Sequence, residues 1–321
     1  MSNNSISSPV SGIPQLWVVT EGMAGTENQC IAVAQSLGIQ PVVKRIGLSQ
    51  PWQSLSPYLG FECAHSFNGD ALTAPFPDIV IAAGRKAIAA CRYIKKQSPK
   101  SFIVFLQNPR IRSSAFDLIA APAHDHLSGA NIITTVATPT KFNPTFCETI
   151  RKNTACPFQT HDKIKIGLLI GGGIAGRVMS TNEQDKIIKT IQDLQKKSDT
   201  ELFVIGSRRT PLILSQTISS MPITSWFTGD ANPNPYEAVI SYSDIVIVTA
   251  DSPSMLSDAA SAGKATYSLG APQTRRHAYL ISQMIKAGHI KDYQEGLTPF
   301  TPSLLNDAAL VAAEIRRKTG L

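Results

Sequence analysis

Residues 163–184 read "KIKIGLLIGGGIAGRVMSTNEQ", and the fold turns on them. A strongly apolar strand (163–172) runs into Gly171, Gly172 and Gly173, with Gly176 and Arg177 close behind. Ser180 or Thr181 then caps a helix expected over 181–197. A buried strand, a glycine turn and a helix in direct succession open a doubly wound α/β domain. Glycines at the carboxyl end of such a strand suit the approach of a pyrophosphate, and Arg177 adds a positive charge there.

The pattern continues outward from this stretch. The strand at 201–207 ends in "GSRRT", placing Ser207, Arg208 and Arg209 where they suit a phosphate or carboxylate, or make a solvated basic corner. A helix from about 211, strand 223–227, helix 235–242 and strand 244–250 follow, then helix 253–262 and strand 265–270. Helical patterns at 273–287 and 302–318 close the chain. After strand 244–250 the turn "DSPS" offers Ser252 and Ser254 as caps, and Asp258 lies one helical turn further on. That carboxylate either takes the two hydroxyls of a ribose or is a surface acid on an amphipathic helix.

The first half shows the same alternation, with strands at 15–20, 41–46, 78–84, 101–107, 116–122 and 131–137 and helices at 26–37 and 85–97. Several strands are continuously apolar, as parallel strands covered on both faces are. Its first turn, "TEGMAGTENQ" (20–29), carries Gly22, Gly25 and Thr26 at the mouth of the helix. Either the turn cradles an anion, or Thr26 is an N-cap with Gln29 completing a capping box. Glu21 beside it is an unusual choice for a pure phosphate site. The segment 47–77 is irregular, and the polar, proline-marked stretch 139–163 separates the two series.

Two consecutive βαβ series predict two facing Rossmann-like doubly wound domains, with ligands at the carboxyl ends of strands and in the cleft between domains. Residues 1–14 are expected to be a flexible N-terminus, 15–155 one domain and 156–321 the other, the last helix crossing back to the first.

The 321 residues are 43% hydrophobic and 17% charged, as a globular chain is. Thirty basic against 23 acidic residues give +7, which favours anionic partners: nucleotides, phospholipid headgroups or nucleic acid. The basic residues are scattered in ones and twos, so no nucleic-acid partner is expected, while the charge leaves peripheral contact with an anionic membrane surface open. Five cysteines without a C-x-x-C pair read as reduced cytosolic thiols. There is no signal-peptide pattern and no apolar run near the roughly 20 residues that span a bilayer, so a cytoplasmic protein is expected.

Several chemistries lack their residues. "HDH" (124–126) has no further ligands at metal spacing, and no G-x-S-x-G elbow or P-loop occurs. A dehydrogenase-type epimerase would need Tyr-x-x-x-Lys, but Tyr93 is followed by Gln97 and Tyr242 by Val246.

In order, "EGMAGTENQCIAVAQSLG", "PDIVIAAGRKA", "QNPRI", "FDLIAAPAHDHL", "IGGGIAG", "GSRRTP" and "SDIVIVTADSPSMLSDAASAGK" resemble the mitochondrial-fission family named for elongated mitochondria in plants, in its bacterial branch. The similarity covers about residues 15–290. Plant members recruit a dynamin-related protein, which implies a non-catalytic scaffold. Bacterial members have been labelled nucleoside-diphosphate-sugar epimerases. More distantly, the second half is similar to nucleotide-sugar glycosyltransferases of the two-Rossmann, GT-B type, among them the enzyme that adds GlcNAc to lipid-linked muramyl pentapeptide.

That likeness implies a nucleoside-diphosphate sugar as donor, no cofactor or metal, and an anionic or lipid-linked acceptor. It assigns Gly171–Gly173, Gly176 and Arg208 to the diphosphate, Asp258 to the ribose, and Gly22, Gly25 and Thr26 to the acceptor and transferred sugar. The histidine usual after the first glycines is Thr26 here, which removes a candidate base or phosphate contact and leaves Glu21, His124 and Asp125 as candidates to replace it.

Overall fold

The computed structural model describes residues 12–111, 114–174, 177–293, 297 and 299–321. Residues 1–11 of the expected flexible N-terminus lie outside the described residues, as does Gly176. Chain contacts divide the molecule into two compact units. The first holds the chain up to Ala121, Leu127–Ile133 and Ala308–Leu321, and the second Pro122–His126 and Thr134–Asp307.

The first unit opens with β1 (Leu16–Thr20), α1 (Ala24–Ser36), β2 (Val42–Leu48), α2 (Trp52–Leu55) and β3 (Phe67–Gly69). It continues with β4 (Ile79–Ala83), α3 (Ala87–Gln97), β5 (Phe102–Leu106), β6 (Leu118–Pro122) and β7 (Ile132–Thr135). The strand order is β3-β2-β1-β4-β5-β6-β7. β2, β1, β4, β5 and β6 run parallel, and β3 pairs antiparallel at the edge.

Alternate residues explain the two-sided burial. Leu16, Val18, Ile79 and Ile81 pack with Cys30 and Val33 of α1, whereas Trp17, Val19, Val80 and Ala82 pack with Ile88 and Ile94 of α3.

The second unit begins with α4 (Pro144–Asn153), β8 (Ile164–Ile170), β9 (Gly173–Ile174), β10 (Arg177–Val178) and α5 (Thr181–Gln195). Then come β11 (Thr200–Gly206), α6 (Leu212–Ser219), β12 (Thr224–Trp226), α7 (Tyr236–Tyr242) and β13 (Ile245–Thr249). It ends with α8 (Pro253–Ser261), β14 (Ala265–Leu269), α9 (Arg275–Lys286) and β15 (Ile290–Asp292). Its parallel sheet has the order β12-β11-β8-β13-β14-β15, the Rossmann order. Ile166, Leu168 and Ile247 pack with Ile187 and Ile191 of α5 on one face, and Leu169, Val246 and Val248 with Val239 and Leu256 on the other.

Two details depart from the sequence reading. The contacts pass to the second unit at Thr134, not near 155, because α4 belongs with α7 and buries Cys147 in that unit's core. α4 itself fills part of a stretch read as a linker. Asn143 caps it by accepting from the Phe146 N–H at 2.8 Å, and Pro144 follows at the first helical position. The last helix, α10 (Asp307–Thr319), places Ala308, Val311, Ala312 and Ile315 in the core of the first unit beside Leu16 and Val18.

Candidate functional site

β8 and β13 are neighbours whose following connections lead to opposite sides of the sheet. Ligands of such folds bind at that switch point, beyond the carboxyl ends of the strands. Gly171–Gly173 follow β8 there, and Asp251 follows β13. The Gly171 N–H donates to Thr249 Oγ1 at 2.8 Å, and the N–H groups of Gly172 and Gly173 both donate to Asp251 Oδ2 at 2.8 Å.

From the other side, Ser207 Oγ and Thr210 Oγ1 each donate to the Gly171 carbonyl at 2.6 Å, and the Arg209 guanidinium donates to the Gly173 carbonyl. A Cβ on Gly172 would lie 1.9 Å from the Arg209 carbonyl oxygen, and one on Gly171 would lie 2.1 Å from Asp251 Oδ2. The glycine loop therefore closes on the chain's own groups. Arg208 is exposed and makes no ion pair or hydrogen bond among the described residues. The exposed Arg177 pairs with Glu183 at 3.4 Å.

Beside this loop lies a cavity of about 250 Å³, lined by Thr249 at the end of β13 and Asp251 after it, Gln273 after β14, and Glu183 and Lys186 of α5. α5 starts at a capping box in which Glu183 Oε2 accepts from the Ser180 N–H at 2.8 Å. Asp251 Oδ1 and Gln273 Oε1 are buried without a hydrogen-bond partner among the described residues. An unpaired buried carboxylate oxygen is costly, and native folds keep such atoms mainly where something else completes them.

His124 and Asp125, expected in the first domain, belong to the second unit. Their short 3-10 turn (Ala123–Asp125) ends in His126 at φ 49°, and the His126 ring meets the Tyr279 ring of α9 edge-on at 5.2 Å. Arg276 of α9 donates to Asp125 Oδ1 at 2.8 Å and lies 3.1 Å from His124 Nε2. Burial holds the imidazoles of His124 and His277 below the ordinary histidine range, so both are neutral at pH 7.

Asp258 lies on α8 but does not line the cavity. Its carboxylate accepts from Thr140 Oγ1 at 2.5 Å and from Tyr236 Oη at 2.7 Å. Burial pushes its carboxyl up to about 6, against the opposing effect of those two hydrogen bonds. Ser252 stands at the N-cap of α8 without a side-chain cap, and Ser254 is exposed.

In the first unit Glu21 Oε1 accepts from the Lys86 backbone N–H at 2.8 Å, and Lys86 Nζ lies 3.4 Å from Glu21 Oε2. Gly22 and Gly25 are exposed. Thr26 is not the N-cap: α1 already begins at Ala24, and the Thr26 hydroxyl donates to the Met23 carbonyl at 3.0 Å. Gln29 accepts from the Gln107 side chain at 2.9 Å and so forms no capping box.

The family model for Mitochondrial fission ELM1 matches residues 24–319. The chain belongs to this family. It is 24% identical to an uncharacterized protein of Rickettsia prowazekii over 94% of this chain and 97% of that one. It is 23% identical to the mitochondrial fission protein ELM1 of Arabidopsis thaliana over 75% of this chain, spanning 64% of the plant protein.

Among solved structures, the UDP-GlcNAc 2-epimerase of Methanocaldococcus jannaschii matches with a TM-score of 0.51 and 11% identity, over 96% of this chain and 100% of that one. The Neisseria meningitidis UDP-GlcNAc 2-epimerase bound to UDP-GlcNAc matches at 0.50 and 13%, over 94% and 91%. At such identities the likeness shows the fold, which is the two-Rossmann, GT-B type.

For this ELM1-family chain the switch point also gathers residues that the sequence reading passed over: Lys186, Asp251, Gln273, Arg276 and His277. Asp251 had a legible signal, an acid directly after a buried strand. "RR" (275–276) had a weaker one, cations in the first turn of a helix, where the dipole disfavours them. Among the described residues no three His, Cys, Asp or Glu side chains are grouped to hold a metal ion. No described helix is long and apolar enough to cross a membrane.

Proposed function

We propose that the protein binds a nucleoside-diphosphate sugar at the switch point of its second unit and transfers the glycosyl group to an acceptor, without a metal. The observation that carries this is the cavity beside Asp251 and Gln273, whose buried oxygens Oδ1 and Oε1 await donors. In this reading α8 holds the nucleotide. Its first turn has N–H groups without a side-chain cap for the diphosphate, and Asp258 offers its carboxylate to the ribose hydroxyls in exchange for Thr140 or Tyr236.

Lys186 and the unpaired Arg208 supply positive charge against the leaving diphosphate. His124, neutral at pH 7, supplies a base for the acceptor hydroxyl. The net charge of +7 suits an anionic or lipid-linked acceptor at the inner face of a membrane.

A non-catalytic interaction protein is the second reading. In its favour, Asp251 already occupies the amides of Gly172 and Gly173, and Asp258 is already hydrogen-bonded. The family's name points the same way. The GT-B likeness also returns an epimerase to the comparison, since the missing Tyr-x-x-x-Lys argues only against the dehydrogenase type.

Titration calorimetry with UDP, GDP, CDP, ADP and NAD, on the wild type and Asp258→Ala, separates these. Saturable binding of one diphosphate, weakened about tenfold or more in the variant, supports the sugar-nucleotide site. Chromatography of the sugar product then tells transfer from epimerisation. A folded protein that binds none of the five is a scaffold.

A further inference from the structure

Between β2 and β3 the first unit sends out the loop "SQPWQSLSPYLGFECAHS" (49–66), which turns large apolar side chains to solvent. Leu55, Tyr58 and Phe61 are 51%, 77% and 92% exposed, while Ser56, Pro57 and Glu62 between and beside them are buried. A single exposed apolar residue is ordinary, but a cluster of them marks a contact surface. Phe61 is even held outward at a φ of 61°, a conformation that a bulky side chain rarely adopts.

The loop is fixed from beneath. Trp52 Nε1 donates to the Gly60 carbonyl at 3.1 Å. Arg92 of α3 donates to the carbonyls of Pro57 and Leu59, both at 2.7 Å, and its Nε donates to the buried Glu62 at 2.8 Å. The Leu55 carbonyl accepts from the N–H groups of Tyr58 and Leu59 at 2.9 and 3.1 Å. These four carbonyls are thus satisfied within the protein, so the tip can leave water without stranding them. A lipid phase sets that condition, because it offers no donors of its own.

The charges around the tip have one sign. The loop contains no Lys or Arg, and its one acid, Glu62, is neutralised by Arg92. Arg85 stands beside it, since its carbonyl accepts from Ser56 Oγ at 3.4 Å. Lys96 lies four residues after Arg92 on the same face of α3. Both side chains are exposed, and neither makes an ion pair or hydrogen bond among the described residues.

We propose that Leu55, Tyr58 and Phe61 enter the interface of an anionic lipid bilayer, with Arg85 and Lys96 against its headgroups. The uncharged tip, its internally bonded carbonyls and the cationic rim together favour lipid over a protein partner. Tyr58 suits the boundary, with an apolar ring and a hydroxyl for the headgroup layer. The inference stands apart from the sugar-nucleotide reading, and either can fail alone.

Vesicle flotation of the full chain tests it. The wild type should float with vesicles of equal parts phosphatidylglycerol and phosphatidylcholine, and far less with phosphatidylcholine alone. Phe61→Ser should weaken binding about tenfold, and Tyr58→Ser about threefold. Arg85→Gln and Lys96→Gln should each weaken it about fivefold. Leu212→Ser, at an exposed apolar position of the second unit, should change nothing. Phe61→Trp should still float, and its emission should shift to the blue with anionic vesicles beyond any shift of the wild type. Circular dichroism checks the folding of each variant. Failure of the wild type to float with anionic vesicles overturns the proposal. So does flotation that survives Tyr58→Ser and Phe61→Ser combined, or an equal loss in Leu212→Ser. A dimer that Phe61→Ser breaks, in a protein that ignores vesicles, would overturn it too and give the surface to a second copy of this chain.

Discussion

Both sheets place a carboxylate at the switch point, after β1 in the first unit and after β13, the neighbour of β8, in the second, and use it differently. In the first unit Glu21 follows β1 and receives one N–H from the loop after β4, with Lys86 Nζ alongside. In the second, Asp251 follows β13 and receives two N–H groups from the loop after β8. Glu21 is complete, capping α3 beside its own counter-ion. Asp251 is 4% exposed and still has an oxygen without a partner among the described residues. An acid at a switch point is therefore not a site by itself; what it leaves unsatisfied decides. One unit uses the position to finish a helix, the other to open a cavity.

Glycine substitutions test that contrast most severely. Gly172→Ala puts a Cβ 1.9 Å from the Arg209 carbonyl, backbone that has nowhere to go. It should cost more than about 4 kcal/mol in denaturant unfolding, or prevent folding. Gly22→Ala has only the Arg45 side chain within reach, at 3.5 Å, and should cost about 1–2 kcal/mol through its positive φ of 78°. Similar losses in both would erase the distinction between a closed loop and an open turn.

The acids themselves come next. Asp251→Ala leaves two buried N–H groups unpaired and should destabilise by about 3 kcal/mol. Glu21→Ala releases one amide and a pair whose side chains are 18% and 28% exposed, so about 1 kcal/mol is expected. Chemical denaturation at pH 7 ranks them, and a larger loss for Glu21→Ala would invert the assignment of cap and cavity.

Asp258 sharpens the difference through pH. Its carboxyl titrates near 6 in the fold against 3.8 ordinarily. Because the folded value is raised, its contribution to stability is fully present below pH 3.8 and is lost as pH rises through about 6. Unfolding curves should thus show wild-type stability falling between pH 4 and pH 7 relative to Asp258→Asn. Parallel profiles would mean that Asp258 is solvated and free to meet a ribose without leaving Tyr236.

Much of this architecture was legible because buried parallel strands announce themselves. "KIKIGLLIGG" and "DIVIVTA" became β8 and β13 almost to the residue. α4 was missed because its polar faces and prolines resemble a linker, although Asn143-Pro144 is a helix start. The site was harder to read. Glycine density at 171–173 suggested ligand approach, but a sequence does not say whose atoms come close, and here they are those of Asp251 and the Arg209 carbonyl. Gln273 joins Asp251 at the cavity only through the pairing of β14 with β13, which no local pattern encodes.

The smallest effect expected is at Gly25, and its sign matters more than its size. Gly25 is the second residue of α1, exposed, and a Cβ there meets nothing within 4 Å. Replacing a helical glycine by alanine removes backbone freedom from the unfolded chain, so Gly25→Ala should stabilise by about 0.5 kcal/mol. If the turn 22–26 also faces acceptor or sugar, the same methyl obstructs the approach. Stability then rises while turnover, or affinity for the sugar nucleotide, falls. A rise in stability with binding unchanged would make Gly25 an ordinary surface glycine. Gly172 cannot be tested this way, since its closeness to the Arg209 carbonyl makes fold and site inseparable there.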